Sequence, residues 1–196
     1  MHALASVFSF LVAALPQQQE SAAAVSLFDG RTLAGWHGDP AVWKVEDGCL
    51  VGSSGDTPVA ANTFLVWTGG EVADFEFTCE VQLTGDNNSG VQYRSQRVGE
   101  FGVVGYQADV HPRPEYLGML YEERGAGILC RSGRFVARDA AGGVRDLGAV
   151  AGPRQLDLAQ WQSLRIVARG NLLQHEFGGR VTAIVQDDLA TAPRRG

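Results

Sequence analysis

The sequence predicts an all-β sandwich, and three observations support that prediction. The chain has 196 residues, which suits one domain, and 45% of them are hydrophobic, which is enough for a core. Its 25 glycines fall between short segments in which polar and apolar residues alternate, as they do in half-buried strands. Because these segments recur at near-regular spacing, we expect a jelly roll of two antiparallel sheets.

The individual strands can be read from this alternation. Residues 43–45 and 50–51 flank Asp47-Gly48, which is a strong hairpin signal. Residues 74–83 (DFEFTCEVQL) alternate strictly, and residues 105–110 (GYQADV) alternate in the same way. Near the end, three segments separated by glycine turns predict a meander of neighbouring strands, namely SLRIVAR, LLQHEF and RVTAIVQ.

The first 24 residues have the features of a signal peptide. Residues 3–15 form an apolar stretch that is too short to span a bilayer, and Ala22-Ala23-Ala24 offers a cleavage site. A buried N-terminal helix is the alternative. We therefore expect export to the periplasm or the medium, and a single mature domain over residues 25–196.

Charge and cysteine content exclude several classes of protein. The formal net charge is -6 and the pI is about 5.2. The sequence has no basic stripe of the kind that binds nucleic acid. No segment is long enough to span a membrane, and the oligomeric state is not determined by the sequence. Three cysteines, Cys49, Cys79 and Cys130, match no zinc motif and leave the pairing of any single disulfide open.

A polar surface is expected where three consecutive strands pair side by side. The stretch NNSGVQYRSQ, residues 87–96, would lie between the strands at 74–83 and 105–110. Carboxylates, amides and a guanidinium suit the hydroxyl groups of a sugar. The alternative is that Arg94 and Asp109 form a structural salt bridge. The predicted polar surface consists of Glu80, Gln82, Gln92, Arg94, Gln107 and Asp109.

The connection over residues 111–125 is long and carries many functional groups. Long ordered loops over a rigid sheet are common places for binding and catalysis. His111 follows Asp109 by two positions, so on a continued strand it would share the face of that carboxylate. Glu122 and Glu123 are either the rim of a site or a charged loop tip.

The motifs occur in an order that resembles a known family. SLFDGRTLAGW, WKVEDGCLVG, DFEFTCEVQL, NNSGVQYRS, GYQADV and GMLYEERG extend over residues 26 to about 188. Together they resemble the 3-keto-disaccharide hydrolase domain family, formerly a domain of unknown function. The resemblance implies a concanavalin-like jelly roll, export, and action on oxidised sugars.

The resemblance also implies a chemistry. A 3-keto group acidifies the C2 hydrogen of a glycoside, so a base can remove it, the C1 substituent leaves by β-elimination, and water adds back. On this resemblance the candidate bases are Asp109, Glu122 and Glu123. Arg94 would contact the enolate or a hydroxyl. The remaining candidates for binding the saccharide or 3-keto-glycoside are Glu80, Gln92, Gln107, Tyr121 and His111. A divalent metal can assist such chemistry, but the cofactor is unknown because no ligand set stands out.

Three functions remain open from sequence. The first is an exported hydrolase or lyase that cleaves 3-keto-glycosides, and the second is a non-catalytic, lectin-like carbohydrate-binding module on the same fold. The third is a structural surface domain. Related sequences continue with a strand of the type G-x-I-x-L-Q-x-H and one more strand, so the sequence predicts a domain that lacks its final strands.

Overall fold

A computed structural model describes residues 24–53, 55, 61–85 and 87–196. The predicted signal peptide, except Ala24, lies outside these residues. Every regular element in the described part of the chain is a β-strand. The strands are β1 (Trp36–His37), β2 (Trp43–Glu46), β3 (Cys49–Gly52), β4 (Val66–Trp67), β5 (Phe75–Val81), β6 (Ser89–Val98), β7 (Gly102–Val110), β8 (Leu120–Glu123), β9 (Gly127–Cys130), β10 (Arg134–Arg138), β11 (Val144–Ala149), β12 (Gln162–Arg169), β13 (Leu172–Phe177) and β14 (Arg180–Asp187).

Two sheets form the body of the domain. One has six strands in the order β11-β10-β14-β13-β12-β5, and the other has four in the order β6-β7-β8-β9. Strands β1 and β4 form a small pair, as do β2 and β3. All pairings are antiparallel except that of β10 with β14. The all-β sandwich and the meander β12–β13–β14 are therefore confirmed.

The core lies between the inner faces of the two large sheets. Tyr106 and Leu120 come from the four-stranded sheet, and Ile166 and Phe177 come from the six-stranded sheet, all at most 1% exposed. Strict alternation along each strand brings these side chains to one face, and their burial removes apolar surface from water. The same alternation turns polar side chains outward on both sheets.

One predicted pairing is wrong. Strand β5 pairs with β12 and not with β6, because the chain crosses from one sheet to the other in the turn before β6. Glu80 therefore lies opposite Ser163 on the six-stranded sheet. Neither Glu80 nor Gln82 belongs to the polar surface that carries Gln107 and Asp109.

The hairpin at Asp47-Gly48 is confirmed. Asp47 has a φ of 50° and Gly48 a φ of 77°, and β2 pairs with β3 on either side of them. Two successive residues with positive φ are what a two-residue hairpin turn with the natural strand twist requires.

Buried polar groups link the two sheets. The Arg138 guanidinium on the six-stranded sheet forms ion pairs with Asp187 and with Glu122, the latter at 2.7 Å between Nη1 and Oε2. Tyr106 donates its hydroxyl hydrogen to Asp187 Oδ2 at 2.5 Å. Because Glu122 and Tyr106 belong to the four-stranded sheet, this network spans the sandwich, and each buried charge has a partner.

A second polar link crosses the core nearby. Burial lowers the pKa of His175 to about 4, so its ring is neutral at physiological pH. Tyr93 donates its hydroxyl hydrogen to Nε2 of that ring at 2.8 Å. The other ring nitrogen, Nδ1, donates to the carbonyl of Gly118 at 3.2 Å. His175 is thus a structural residue of the sandwich interior.

The three cysteines carry free thiols, with Cys130 buried and Cys49 and Cys79 half-buried. Burial raises the pKa of Cys79 to about 11 and that of Cys130 to about 12, so both stay protonated at neutral pH. None of the described residues forms a helix long and apolar enough to cross a membrane.

Candidate functional site

A directed row of hydrogen bonds runs across the outer face of the four-stranded sheet. Ser95 Oγ donates to Gln92 Oε1 at 2.9 Å, and Gln92 Nε2 donates to Gln107 Oε1 at 3.1 Å. Gln107 Nε2 then donates to Asp109 Oδ1 at 3.1 Å. An ionised carboxylate can only accept hydrogen bonds, so Asp109 determines the orientation of both amides. We call Ser95, Gln92, Gln107 and Asp109 the amide row.

Strand register and one glycine make this row fit. Gln92 and Gln107 are directly opposite each other on β6 and β7, and Gly90 is opposite Asp109. A Cβ atom on Gly90 would lie 2.6 Å from Gln107 Cγ and 2.9 Å from the carbonyl oxygen of Ala108. The glycine of the Asn-Ser-Gly motif therefore leaves room for the Gln107 side chain to reach Asp109.

A β-bulge in β6 changes the direction of Arg94. The register between β6 and β7 shifts between Tyr93 and Gln96, and Arg94 has a φ of 47°. Gly105 on β7 accommodates the bulge, because a Cβ atom there would lie 2.3 Å from Ser95 Oγ. The bulge brings Ser95 into the amide row, although simple alternation assigns Ser95 to the core side.

The expectation that Arg94 lies on the polar surface with Asp109 is wrong. Its guanidinium is 1% exposed and donates to the carbonyl of Ala73 at 2.7 and 2.9 Å and to that of Gly170 at 2.6 Å. Its ion-pair partner is Asp74, at 3.2 Å. Arg94 thus satisfies two loop carbonyls and holds β6 to the segment before β5.

Asp109 is the most perturbed carboxyl group on this face. It is 2% exposed, and burial raises its pKa to about 6 even though hydrogen bonds from the Asn88 and Gln107 side chains oppose the shift. It is therefore more basic than an ordinary aspartate, but it is closed to solvent.

Tyr121 and Glu123 complete the face. Tyr121 on β8 is directly opposite Gln107, and Glu123 is opposite Gly105. Both side chains are half-buried, and Asn62 Nδ2 donates to Glu123 Oε2 at 3.4 Å. We call Gln92, Gln107, Asp109, Tyr121 and Glu123 the polar face. Glu123 is its accessible carboxylate.

Three other predicted site residues lie elsewhere. Glu122 points into the sandwich, where it pairs with Arg138, since neighbouring residues of β8 alternate between faces. Glu80 is on the outer face of the six-stranded sheet. His111 follows the last residue of β7; its Nδ1 accepts a hydrogen bond from the backbone of Arg113 at 3.0 Å, and its ring packs on Tyr116 at 4.9 Å.

Sequence reasoning missed three residues near this face. Asn62 lies outside every strand, 61 positions before Glu123, and only the fold brings the two together. Asn88 precedes β6 in the turn motif, where its amide reads as a turn signal. Ser95 was missed because the bulge that turns it outward has no clear sequence signature at Arg94 or Gly105, the two residues that accommodate it.

Metal ligands do not converge in the part of the chain that the structure describes. No group of three or more His, Cys, Asp or Glu side chains there could hold a metal ion. The polar face contributes two carboxylates, and that of Asp109 is already bonded to Gln107 and Asn88. These residues by themselves therefore do not fit a resident divalent metal.

Residues 23–195 match the family described as the 3-keto-alpha-glucoside-1,2-lyase-like domain. The chain belongs to this family. Among solved structures, this chain is similar to a putative glycosyl hydrolase from Parabacteroides distasonis. This chain and that structure have 21% identity and a TM-score of 0.54, over 82% of this chain and 71% of the other.

A carbohydrate-binding module, CBM66 from Bacillus subtilis, is similar as well. It has 14% identity and a TM-score of 0.53 over 83% of each chain. At these identities both likenesses concern the fold. No curated protein sequence matches the chain. Family and fold together establish a carbohydrate-related, hydrolase-like jelly-roll domain.

Proposed function

We propose that the chain is an exported enzyme that binds a 3-keto-glycoside on the polar face and cleaves it by elimination and hydration. The observation that carries the proposal is the amide row, whose hydrogen bonds all run toward Asp109 and lie beside the accessible carboxylate of Glu123. Ordered amides and an accessible carboxylate suit a polyhydroxylated substrate with an acidic C–H bond. The family's description supports the same substrate class.

Glu123 is the base in this proposal. Its carboxylate is on the polar face, and the hydrogen bond that it accepts from Asn62 is long at 3.4 Å. Asp109 is 2% exposed and already accepts hydrogen bonds, so a substrate C–H bond does not reach it. Asp109 is instead a positioning residue that orients Gln107.

The reaction can be written with these groups. Glu123 takes the C2 proton, and the C2–H electrons form an enolate whose charge is on the oxygen at C3. Donors for that oxygen are the Tyr121 hydroxyl and the second Nε2 hydrogen of Gln107. The electrons then form a C1=C2 double bond as the C1–O bond breaks, and the leaving oxygen takes a proton from solvent water. The oxygen of a water molecule then adds at C1 and that water loses one proton to the solvent, while C2 regains a proton from Glu123.

Export rests on the apolar stretch and the alanines of residues 1–24. Cleavage after Ala24 would leave Val25 as the first residue of the mature protein. We expect the intact mass of protein recovered from the periplasm or medium to correspond to residues 25–196. A full-length mass in that fraction would contradict this.

The test uses methyl 3-keto-α-glucoside and methyl α-glucoside in D₂O, followed by NMR. We expect the wild-type chain to exchange the C2 hydrogen of the keto sugar and release methanol, and to leave the parent glucoside unchanged. Glu123→Gln should slow both processes by roughly 10²-fold or more, because the general base is lost. The matched control is Glu46→Gln on β2, a carboxylate paired with Lys44, which should not alter the rate.

The results separate the candidate functions. If Glu123→Gln cleaves as fast as wild type, Glu123 is not the base. If the wild-type chain binds the keto sugar but neither exchanges nor cleaves it, the non-catalytic binding module is the correct reading. That second candidate is favoured by one observation, the similarity in fold to a carbohydrate-binding module.

A further inference from the structure

A depression on the opposite side of the molecule is not used by the proposed reaction. It lies on the outer face of the six-stranded sheet, has a volume of about 350 Å³, and is formed by β5, β12 and the end of β13. Its walls include Thr78, Glu80, Ser163, Arg165 and Glu176. Glu80 is one of the residues that the sequence placed on the predicted polar surface.

An exposed tryptophan lies two residues before Ser163, which lines this depression. Trp161 immediately precedes β12 and is 50% exposed. In β12 Ser163 and Arg165 face outward, because Leu164 between them is fully buried. If this alternation continues by one residue before β12, Trp161 faces outward as well. A half-exposed indole offers a flat apolar surface and a polar N–H group, a combination that is enriched at binding surfaces.

The polar side chains around the depression differ in whether another side chain already pairs with them. Arg165 is paired with Glu76 at 2.7 Å and with Glu176 at 2.5 Å, so its charge is already compensated by two carboxylates. The Glu80 carboxylate has no ion-pair or side-chain hydrogen-bond partner within the described residues. It is directly opposite Ser163, whose hydroxyl also faces solvent.

We propose that this depression is a second, non-catalytic saccharide site, in which a neutral sugar ring stacks on Trp161 and two neighbouring hydroxyls donate to Glu80. Neutral sugars are favoured because three glutamates, Glu76, Glu80 and Glu176, surround one arginine, so the local charge repels acidic sugars. The proposal does not depend on cleavage at the polar face. It gives the domain two sugar-binding surfaces on opposite sheets.

Calorimetric titration of the mature chain with maltotetraose, cellotetraose and nystose tests the site. We expect one of these oligosaccharides to bind. Trp161→Ala should then raise Kd by about tenfold, the factor that corresponds to burial of roughly 60 Å² of indole surface. Glu80→Gln keeps the shape of the side chain and should weaken binding by a similar factor, because charge-assisted hydrogen bonds are lost.

Two variants serve as controls. Leu172 is an exposed apolar residue on the same sheet, at the far end of β13, so Leu172→Ala should leave Kd unchanged. Gln107→Ala alters the polar face and should also leave it unchanged. Binding that is lost in Gln107→Ala and kept in Trp161→Ala would overturn the proposal, as would failure of all three sugars to bind. Because Glu80→Gln removes no packing, it distinguishes a lost contact from a misfolded Trp161 variant.

Discussion

Replacing Asp109 by asparagine removes a charge from the most deeply buried carboxyl of the polar face while keeping its size. Asparagine Oδ1 can still accept the hydrogen bond from Gln107 Nε2 that Asp109 Oδ1 accepts now. The variant therefore isolates the free energy of holding a carboxylate at this position. We expect that free energy to depend on pH in a defined direction.

The magnitude follows from the pKa. Burial raises the pKa of Asp109 from 3.8 to about 6, and a difference of roughly two units corresponds to about 3 kcal/mol. The folded state holds the proton more tightly than the unfolded chain. Below pH 3.8 the group is neutral in both states and costs nothing. As pH rises from there to about 6 the wild type loses stability, and above 6 the full cost of about 3 kcal/mol is present.

Urea denaturation of wild type and Asp109→Asn at pH 4, 5, 6 and 7 measures this. The free energies of unfolding should converge toward pH 4, and at pH 7 the variant should be the more stable by about 3 kcal/mol relative to that baseline. Asp146→Asn is a control of opposite sign, because a hydrogen bond from Arg134 lowers the pKa of Asp146. That variant should be less stable than wild type at neutral pH, with the difference vanishing as pH falls through the carboxyl range. A difference between Asp109→Asn and wild type that does not vary with pH would refute a buried, charge-penalised Asp109.

Two further predictions concern the sandwich interior and the polar face. Arg138→Met should reduce the free energy of unfolding by about 3–5 kcal/mol, because Glu122 and Asp187 lose their buried partner. Arg134→Met on the same strand should reduce it by at most about 1 kcal/mol, since the pair of Arg134 with Asp146 is exposed. Equal losses of the two variants in chemical denaturation would argue against the buried network. Gly90→Ala should displace the Gln107 side chain and weaken binding of the 3-keto sugar by roughly tenfold. Overpacking should also lower the free energy of unfolding by about 1–3 kcal/mol. Unchanged binding in the folded variant would show that Gln107 does not contact the sugar.

Much of the architecture is encoded in short stretches of the chain. Alternation in residues 74–83 and in the last three strands predicts half-buried strands, and the glycine turns between the latter predict neighbours, as found for β12–β14. Asp47-Gly48 predicts its hairpin because the turn depends only on local φ values. The predicted pairing of residues 87–96 with 105–110 puts Gln92 and Gln107 on one surface, and in the structure they are hydrogen-bonded to each other.

The tertiary structure decided what alternation leaves open. A strand that follows another in sequence can pair with it or cross to the second sheet, because either arrangement buries the same apolar face and the cost of closing loops of similar length differs little. As a result, Glu80 lies in the depression on the six-stranded sheet and not on the predicted polar surface. The bulge at Arg94 and Ser95 exchanged the two residues between the interior and the polar face, since one extra residue reverses which side chains face outward.

Sequence alone therefore determined the family, the sandwich and the amides of the polar face, all of which depend on local pattern. Burial, partners and access depend on which strands meet. Glu122 and Glu123 are adjacent and chemically alike, yet one is paired with Arg138 between the sheets and the other lies on the polar face. Neighbouring side chains of a strand point to opposite faces of the sheet. The register of β8 against β7 sets which of the two glutamates faces outward.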